Sequence, residues 1–406
     1  MKVFLVLRLY SGLEEGLFAR AWQPKGIPAV VKLIEKLDCS KHHLDLCFLR
    51  RDAGSEWEEG KDYTGNLAGL NSSVKILAGE KKFSWLPGVI RRKLSYLRQV
   101  VVVMNQVRKK DPDVVFVDRV NIFIAALLAR YTKRRVVWRV LGILPVMKTH
   151  VSSKSLRDRF YAWMYRSPFD YVICTKDGSG GERWMEQALR PGVPRGAYIN
   201  GVKWKDIEVV RQAQKTPDSK TRFLFVGRME ENKGILEFIE AFSLVSKWSN
   251  REVSAVLVGD GKYSETIHDY IREQGLTDLV RAVGSVKHNE VLQYYRSTDI
   301  YVSLNKGGNL SNSNLEAMAV GVCIIVPKSD CVNNVDTDTD RIFPDDSLYR
   351  VKSTQVKDVS EGMMYLHGNP QDRMRRARKI AQIARELLPT WDAKISNDIQ
   401  ILERLG

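Results

Sequence analysis

The stretch TRFLFVGRMEENKGILEFIEAF, residues 221–242, decides the fold. Its apolar run 223–226 reads as a buried strand, and Ile235, Phe238, Ile239 and Phe242 recur at helical spacing directly after it. The loop between them carries two cations, Arg228 and Lys233, and two glycines, Gly227 and Gly234. Glycine lets the backbone turn tightly, and in an open parallel sheet ligands bind beyond the carboxyl ends of the strands. The amides that open the following helix favour an anion, so the pattern points to a phosphate or diphosphate. Taken alone, the loop also admits a plainer reading in which Arg228 and Lys233 are solvated surface charges.

A second stretch, YVSLNKGGNLSNSNLEAMAVGVCIIVP at 301–327, bears on that choice. A strand over 300–304 runs into a polar Gly/Asn/Ser loop, then a short helix carrying Glu316, then another apolar strand over 323–326. A carboxylate near a helix N-terminus accepts two hydrogen bonds from a vicinal diol such as a ribose, and the helix dipole keeps it ionised. Between the two stretches, a strand over 253–258 enters GDG at 259–261, a tight turn whose amides can approach a nucleotide. The strand at 280–283 ends in GSV at 284–286. Diphosphate cations on one loop and a diol acceptor on another describe a nucleoside-diphosphate pocket.

The order FVGR (225–228), KG (233–234), IEAF (239–242), GDG, GSV, YRSTDIYVS (295–303) and LEAMAVGVCIIV (315–326) resembles the large family of retaining GT-B glycosyltransferases called family 4. The likeness is close over the carboxyl half and loose over the amino half. It implies an α/β chain of two Rossmann-like doubly wound domains facing an interdomain cleft. Residues 1–203 would form an acceptor-side domain and 204–388 a nucleotide-sugar-binding domain. A terminal helix over 389–406, anchored by Trp391, would pack back on the first. The resemblance further implies that Arg228 and Lys233 stabilise the leaving diphosphate without a metal, that Glu316 holds the ribose, and that Gly227 and Gly259 approach the nucleotide. The base is held by main-chain bonds around Val286. The implied substrate is a nucleotide sugar, UDP- or GDP-linked, with no further cofactor. Relatives usually carry a second glutamate eight residues before Glu316, where this chain has Gly308. Asn305, Asn309 and Asn312, with the loop amides of Leu310 and Ser311, are the available substitutes. Amides hydrogen-bond a sugar but supply no negative charge beside a developing oxocarbenium ion. A non-catalytic nucleotide-sugar-binding protein, or a hydrolase or epimerase working without an acceptor, are the alternative readings.

In the amino half, a strand over 3–7 leads into a long loop from Tyr10 past Gly16, and the resemblance places Ser11 and Gly12 on the cleft. A helix follows over 28–37. The strand at 114–117 delivers Asp118 at its carboxyl end as a candidate catalytic group, and the strand at 135–140 brings Arg139 to a position where many relatives have histidine. Structural pairing of Asp118 with Arg119 or Arg139 competes with that reading. The loop after the strand at 171–174 contains Gly178 and either cradles phosphate, shapes the acceptor cleft or simply turns. The polar run at 51–82 reads as a loop or short strands, and that at 212–220 as a linker or loop. In FSWLPGVIRRKLSYL, residues 83–97, Val89, Ile90, Leu94 and Leu97 form a helical stripe beside three cations. That is either an interfacial helix or a core-facing one with a solvated basic side.

The net charge of +16 implies an acidic partner. With a saccharide or lipid-linked saccharide acceptor, an anionic membrane surface met through the basic amino-terminal domain fits best, and no module or aromatic-basic alternation suggests nucleic acid. The five cysteines have no metal-ligand spacing, and His42 and His43 point to opposite faces of an extended chain, so no metal site is expected. Residues 1–8 are too short for a signal peptide and no apolar run approaches 18 residues, which predicts a cytoplasmic protein, peripheral on the inner face of the plasma membrane.

Overall fold

The structure is a computed structural model and describes residues 1–50, 61–212, 220–333 and 335–406. The polar run 212–220 and the start of 51–82 therefore lie largely outside the described residues. The chain divides into two compact units. One comprises 1–175, 181–198 and 391–406, the other 176–180 and 199–390.

The first unit is built on eight strands: β1 Lys2–Arg8, β2 His43–Leu49, β3 Tyr63–Gly65, β4 Val74–Leu77, β5 Val114–Asp118, β6 Arg135–Val140, β7 Tyr171–Thr175 and β8 Arg195–Tyr198. They lie in the order β3-β4-β2-β1-β5-β6-β7-β8, parallel except for the β3–β4 pair. Both faces are covered, which is why β1 and β5 read as unbroken apolar runs. Val3, Leu5 and Leu7 pack on one side with Val30, Leu33 and Leu37, while Phe4 and Val6 pack on the other with Val103, Val107 and Leu128. The chain winds outward from β1 through β2 to β4, then returns to place β5 on the other flank of β1. This reversal creates a topological switch point, with Arg8 and Asp118 at its carboxyl end. The helix Trp391–Glu403 belongs to this unit through Ile395, Ile401 and Leu402.

Two expectations change here. The supposed loop after β1 contains a helix, Ser11–Phe18, because Leu13 and Leu17, one turn apart, are both buried and outweigh its two glycines. The helix expected near 83–97 runs over Gly88–Lys110, and its apolar stripe is not the core-facing side. Val89, Ile90, Leu94 and Leu97 are exposed, while Ser95, Gln99, Val100, Val103 and Val107 are buried.

The second unit carries an all-parallel sheet of β9 Thr221–Val226, β10 Val253–Val258, β11 Val280–Gly284, β12 Ile300–Val302, β13 Cys323–Pro327 and β14 Tyr349–Val351. Their order is β11-β10-β9-β12-β13-β14, so the switch point lies between β9 and β12. Residues 199–204 join this unit, earlier than the division expected at 203, because Val202 N donates to Pro389 O (2.9 Å) and Trp204 Nε1 to Leu388 O (3.0 Å). The acidic stretch after β13 holds the helix Thr337–Ile342 and then edge strand β14, both too short to leave a periodic signal. Cys47, Cys174 and Cys323 are buried free thiols, and burial pushes Cys47 and Cys323 up to about 12.

Candidate functional site

Three glycines step across the strand ends of the second unit. Gly227 N donates to Val258 O (3.0 Å), and Gly259 N donates to Gly284 O (2.8 Å). Gly259 has φ 129°, and a Cβ there would run into the carbonyl oxygen of Gly227. The turns after β9 and β10 can stack only without side chains, and the result is a bare ledge of backbone beside the switch point. Val286, beyond Gly284, packs half-buried against the core at the edge of this ledge.

The cations sit on the loop that leaves the ledge. Arg228 is 69% exposed and pairs with Glu230 (Nη1 to Oε1, 2.7 Å). Lys233 is half-buried. Burial, then the charge of Arg228, pushes its ammonium below the ordinary lysine range, opposed by Glu230 and by Asp177. Gly227 and Lys233 line a slot of about 20 Å³ with Tyr301, Ser303, Asn305 and Ser311. That volume admits about one water-sized group. Two cations in mutual repulsion, one of them short of solvent, are relieved by a bound anion.

Glu316 lies on the helix Asn312–Val320, whose start is fixed by a buried polar network. Ser311 Oγ accepts from Asn314 N (3.4 Å), Asn314 Nδ2 donates to Ser303 Oγ (2.9 Å), and the Tyr301 hydroxyl donates to Asn314 Oδ1 (2.9 Å). This anchors the helix to β12. Glu316 falls in the second turn, beyond the reach of the helix dipole invoked for it. Its partner is instead His288, with Nε2 3.1 Å from Oε1, at the start of the helix His288–Arg296. Residues so distant in sequence leave no local signal of their pairing.

The loop before Glu316 is clasped by residues 176–180. Asp177 O accepts Leu310 N (3.1 Å), and Gly178 O accepts Asp336 N (2.7 Å). Asp336 in turn accepts Asn309 N (2.8 Å) and Asn309 Nδ2 (2.6 Å), and burial pushes its carboxyl up to about 6. These contacts occupy polar atoms of three residues expected at the donor site. Asn309 is fully buried with its side chain spent on Asp336, the Leu310 amide is committed to Asp177, and Asn312 Oδ1 accepts from Asn200 Nδ2 (2.8 Å). Ser311 alone of these four lines the slot among the described residues. Gly178 is neither a phosphate cradle nor a bare turn. It packs against Gly308, Asn309 and Asp336, and a Cβ at Gly308 (φ 140°) would strike Asp177 O and Gly178. A glutamate at 308 has no room. Gly308→Glu should therefore cost about 2–5 kcal/mol of stability from backbone strain and overpacking. Denaturant unfolding measures it, and an unchanged midpoint would contradict this packing.

In the first unit, Asp118 is fully buried. Its Oδ2 accepts Arg8 N (2.7 Å) and the Tyr10 hydroxyl (3.2 Å), and its Oδ1 accepts Asn121 N (3.2 Å) and Nδ2 (2.8 Å). These bonds correct its assignment as a catalytic group: it staples β1 to β5 at the switch point. Arg119 turns to Gly142 O (2.8 Å). Arg139 is 1% exposed, donating to Thr175 Oγ1 (3.0 Å) and lying 3.8 Å from Asp398 Oδ2, so it is a core ion and not a ligand contact. Lys394 also bonds Asp398, and burial lowers its ammonium to about 8. Gly12 is corrected likewise, since it sits in the helix and packs against the Lys25 backbone, whose N donates to Gly12 O (2.7 Å). The side chain of Ser11 lies outside what is described.

The profile of the family Glycosyl transferases group 1 matches residues 206–385, which span the ledge, both cations and Glu316. Alpha-monoglucosyldiacylglycerol synthase of Streptococcus pneumoniae is 24% identical over 137 residues, 34% of this chain and 31% of that protein. The match thus spans about a third of that relative's length. Sucrose-phosphate synthase from Thermosynechococcus elongatus superposes with a TM-score of 0.72 at 16% identity, covering 99% of this chain and 98% of that one. Anabaena HepE, solved with UDP and glucose, gives 0.66 at 14% identity over 98% of each chain. At these identities the structural likeness speaks for the fold alone. The likeness is thus to the GT-B fold of two Rossmann-like units, and residues 206–385 match the family Glycosyl transferases group 1.

Proposed function

We propose that the chain is a retaining, family 4-like glycosyltransferase that moves a sugar from a nucleoside-diphosphate donor to a saccharide acceptor carried on a lipid, in cell-surface polysaccharide assembly on the cytoplasmic side of the membrane. The observation that carries this is the glycine ledge beside Arg228 and Lys233 at the β9–β12 switch point. As the bond from the sugar's anomeric carbon to phosphate breaks, negative charge grows on the departing diphosphate, and the two cations stabilise it there. Glu316, held by His288, accepts from the ribose hydroxyls. The acceptor hydroxyl attacks the same face of the sugar and passes its proton to the departing phosphate oxygen. One carbon–oxygen bond breaks and one forms, so configuration is kept. HepE, solved with UDP and glucose, makes uridine the first base to try, and the name of the pneumococcal relative supports a lipid acceptor.

A thermal-shift panel of nucleotide sugars on the full chain tests the donor half. A cognate ligand at a hundred times its dissociation constant stabilises by about 2.7 kcal/mol. Product analysis with and without acceptor lipid tests the transfer half: free sugar formed equally in both would favour a hydrolase. A panel in which no diphosphate donor raises the melting temperature would contradict the proposal.

A further inference from the structure

A chain of hydrogen bonds runs from the slot beside Lys233 to a single carboxylate, and every bond in it points the same way. The Tyr301 hydroxyl donates to Asn314 Oδ1 (2.9 Å), Asn314 Nδ2 to Ser303 Oγ (2.9 Å), Ser303 Oγ to Asn309 Oδ1 (3.4 Å), and Asn309 Nδ2 to Asp336 Oδ2 (2.6 Å). Ser311 Oγ joins it by donating to Asn314 Oδ1 (3.1 Å). From Tyr301 to Asp336 all five links are buried, Ser303 the least so at 6% exposed. The direction has a cause. An ionised carboxylate only accepts, so Asp336 makes Asn309 present its amide nitrogen and turn its oxygen to Ser303. Ser303 then donates to Asn309 and accepts from Asn314, which leaves the Asn314 oxygen for Tyr301 and Ser311. A charge at one end thus sets the proton positions at the other, and a polarised chain in a low-dielectric interior keeps that order.

Tyr301, Ser303 and Ser311 line the slot with Lys233. With Asp336 ionised, the Tyr301 and Ser311 protons point inward and the slot meets hydroxyl lone pairs, which an anion avoids. A proton on Asp336 Oδ2 reverses the order. Asp336 then donates to a flipped Asn309 amide, Asn309 to Ser303 and Ser303 to a flipped Asn314, whose nitrogen donates to Tyr301 and Ser311, and their protons turn to the slot. The same proton removes a buried negative charge from the surroundings of the anion. Asp336 is placed to take it. The partners of its carboxylate among the described residues, Asn309 and Thr339, are neutral, and burial pushes it up to about 6 in spite of their bonds. The charged groups around it are Asp338 and Asp340 on the helix Thr337–Ile342, Asp340 pairing with Arg350 (2.7 Å), Asp330 in the turn after β13, and Lys176 and Asp177 in the clasp, where a Cβ on Gly178 would strike Asp336 Oδ1.

We propose that Asp336 is a positioning residue of the donor site, and that binding of a diphosphate is coupled to uptake of one proton from solvent on its Oδ2. The inference rests on the glycosyl-transfer reading only in taking the anion of the slot for the donor diphosphate. Calorimetric titration of the full chain with UDP-glucose, whose diphosphate diester does not itself titrate near neutrality, tests it. Affinity of the wild type should rise about tenfold from about pH 7.5 to about pH 5.5, the ratio given by one unit of linked pKa. Asp336→Asn, which offers a donor in place of the proton, should bind at both pH values as tightly as the wild type does at the lower. Titrations in buffers of different ionisation enthalpy should show proton uptake by the wild type beyond that by Asp336→Asn, and since Lys233 is common to both, the excess belongs to Asp336. Thr339→Val removes a bond that favours the carboxylate and should move the midpoint of the pH profile upward, a shift that a merely structural Asp336 would not produce. A wild-type affinity indifferent to pH, or equal uptake by wild type and Asp336→Asn, would overturn the proposal. If no donor of the nucleotide-sugar panel binds at any pH, the transfer reading falls and denaturant unfolding decides the relay. The folded chain holds the extra proton between 3.8 and about 6, so the wild type should gain stability over Asp336→Asn as pH falls through that window, and a difference constant with pH would overturn the relay.

Discussion

Lys233→Ala is expected to lower turnover by about two to three orders of magnitude. Lys233 is the half-buried cation of the loop, sharing its slot with Gly227 and Ser311, whereas Arg228 is mostly exposed and partly satisfied by Glu230. A charge shielded from solvent acts on a departing phosphate with less screening than an exposed one, so Lys233 should matter more than Arg228. Steady-state kinetics at saturating donor should show the loss mainly in kcat, since the charge it answers is greatest in the transition state. Arg228→Ala should show a smaller loss that grows at low salt. Turnover within about threefold of the wild type for Lys233→Ala would remove it from the chemistry.

Asp398→Ala destabilises the first unit by about 3–5 kcal/mol, because it strands two buried cations. Arg139 and Lys394 both turn to this carboxylate, and all three side chains are almost wholly buried. Lys394→Met, which leaves Arg139 and Asp398 as a one-to-one pair, should be near neutral or stabilising. The pH dependence has a definite sign. The folded ammonium of Lys394 sits at about 8, below its ordinary 10.5, so the folded state binds fewer protons than the unfolded one between those values. Stability attributable to Lys394 therefore rises as pH climbs through that window, and Lys394→Met abolishes the rise. Denaturant unfolding across this pH range reads both effects, and an Asp398→Ala variant as stable as the wild type would contradict the buried triad.

Much of the architecture was legible because parallel sheets covered on both faces write themselves as apolar runs between turns, as at 223–226 and 323–326. The turn at 227–234 was legible for the same reason, its glycines and cations lying at a strand end. What escaped the sequence was set by distant contacts. Asp118 and Arg139 emerge at strand ends like functional groups, yet their partners Tyr10 and Asp398 bury them. The helix Ser11–Phe18 carries two glycines and reads as loop until Leu13 and Leu17 find a core. Gly308 was visible as a departure, but its cause, the clasp by Asp177 and Gly178, has no local signature. The stripe at Val89 and Ile90 has helical spacing whether it faces core or solvent, and only the burial of Ser95 and Gln99 decides which.

In the proposed site the labour is divided: Lys233 and Arg228 would read the diphosphate and Glu316 the ribose. Calorimetric titration of the full chain with a nucleoside diphosphate, its 2′-deoxy analogue and the monophosphate measures it, using wild type, Lys233→Ala and Glu316→Ala. The wild type should prefer the diphosphate over the monophosphate and ribose over deoxyribose, Lys233→Ala should lose the first preference alone, and Glu316→Ala the second alone. A wild type that binds all three alike, or variants that keep both preferences, would contradict the assignment of this site.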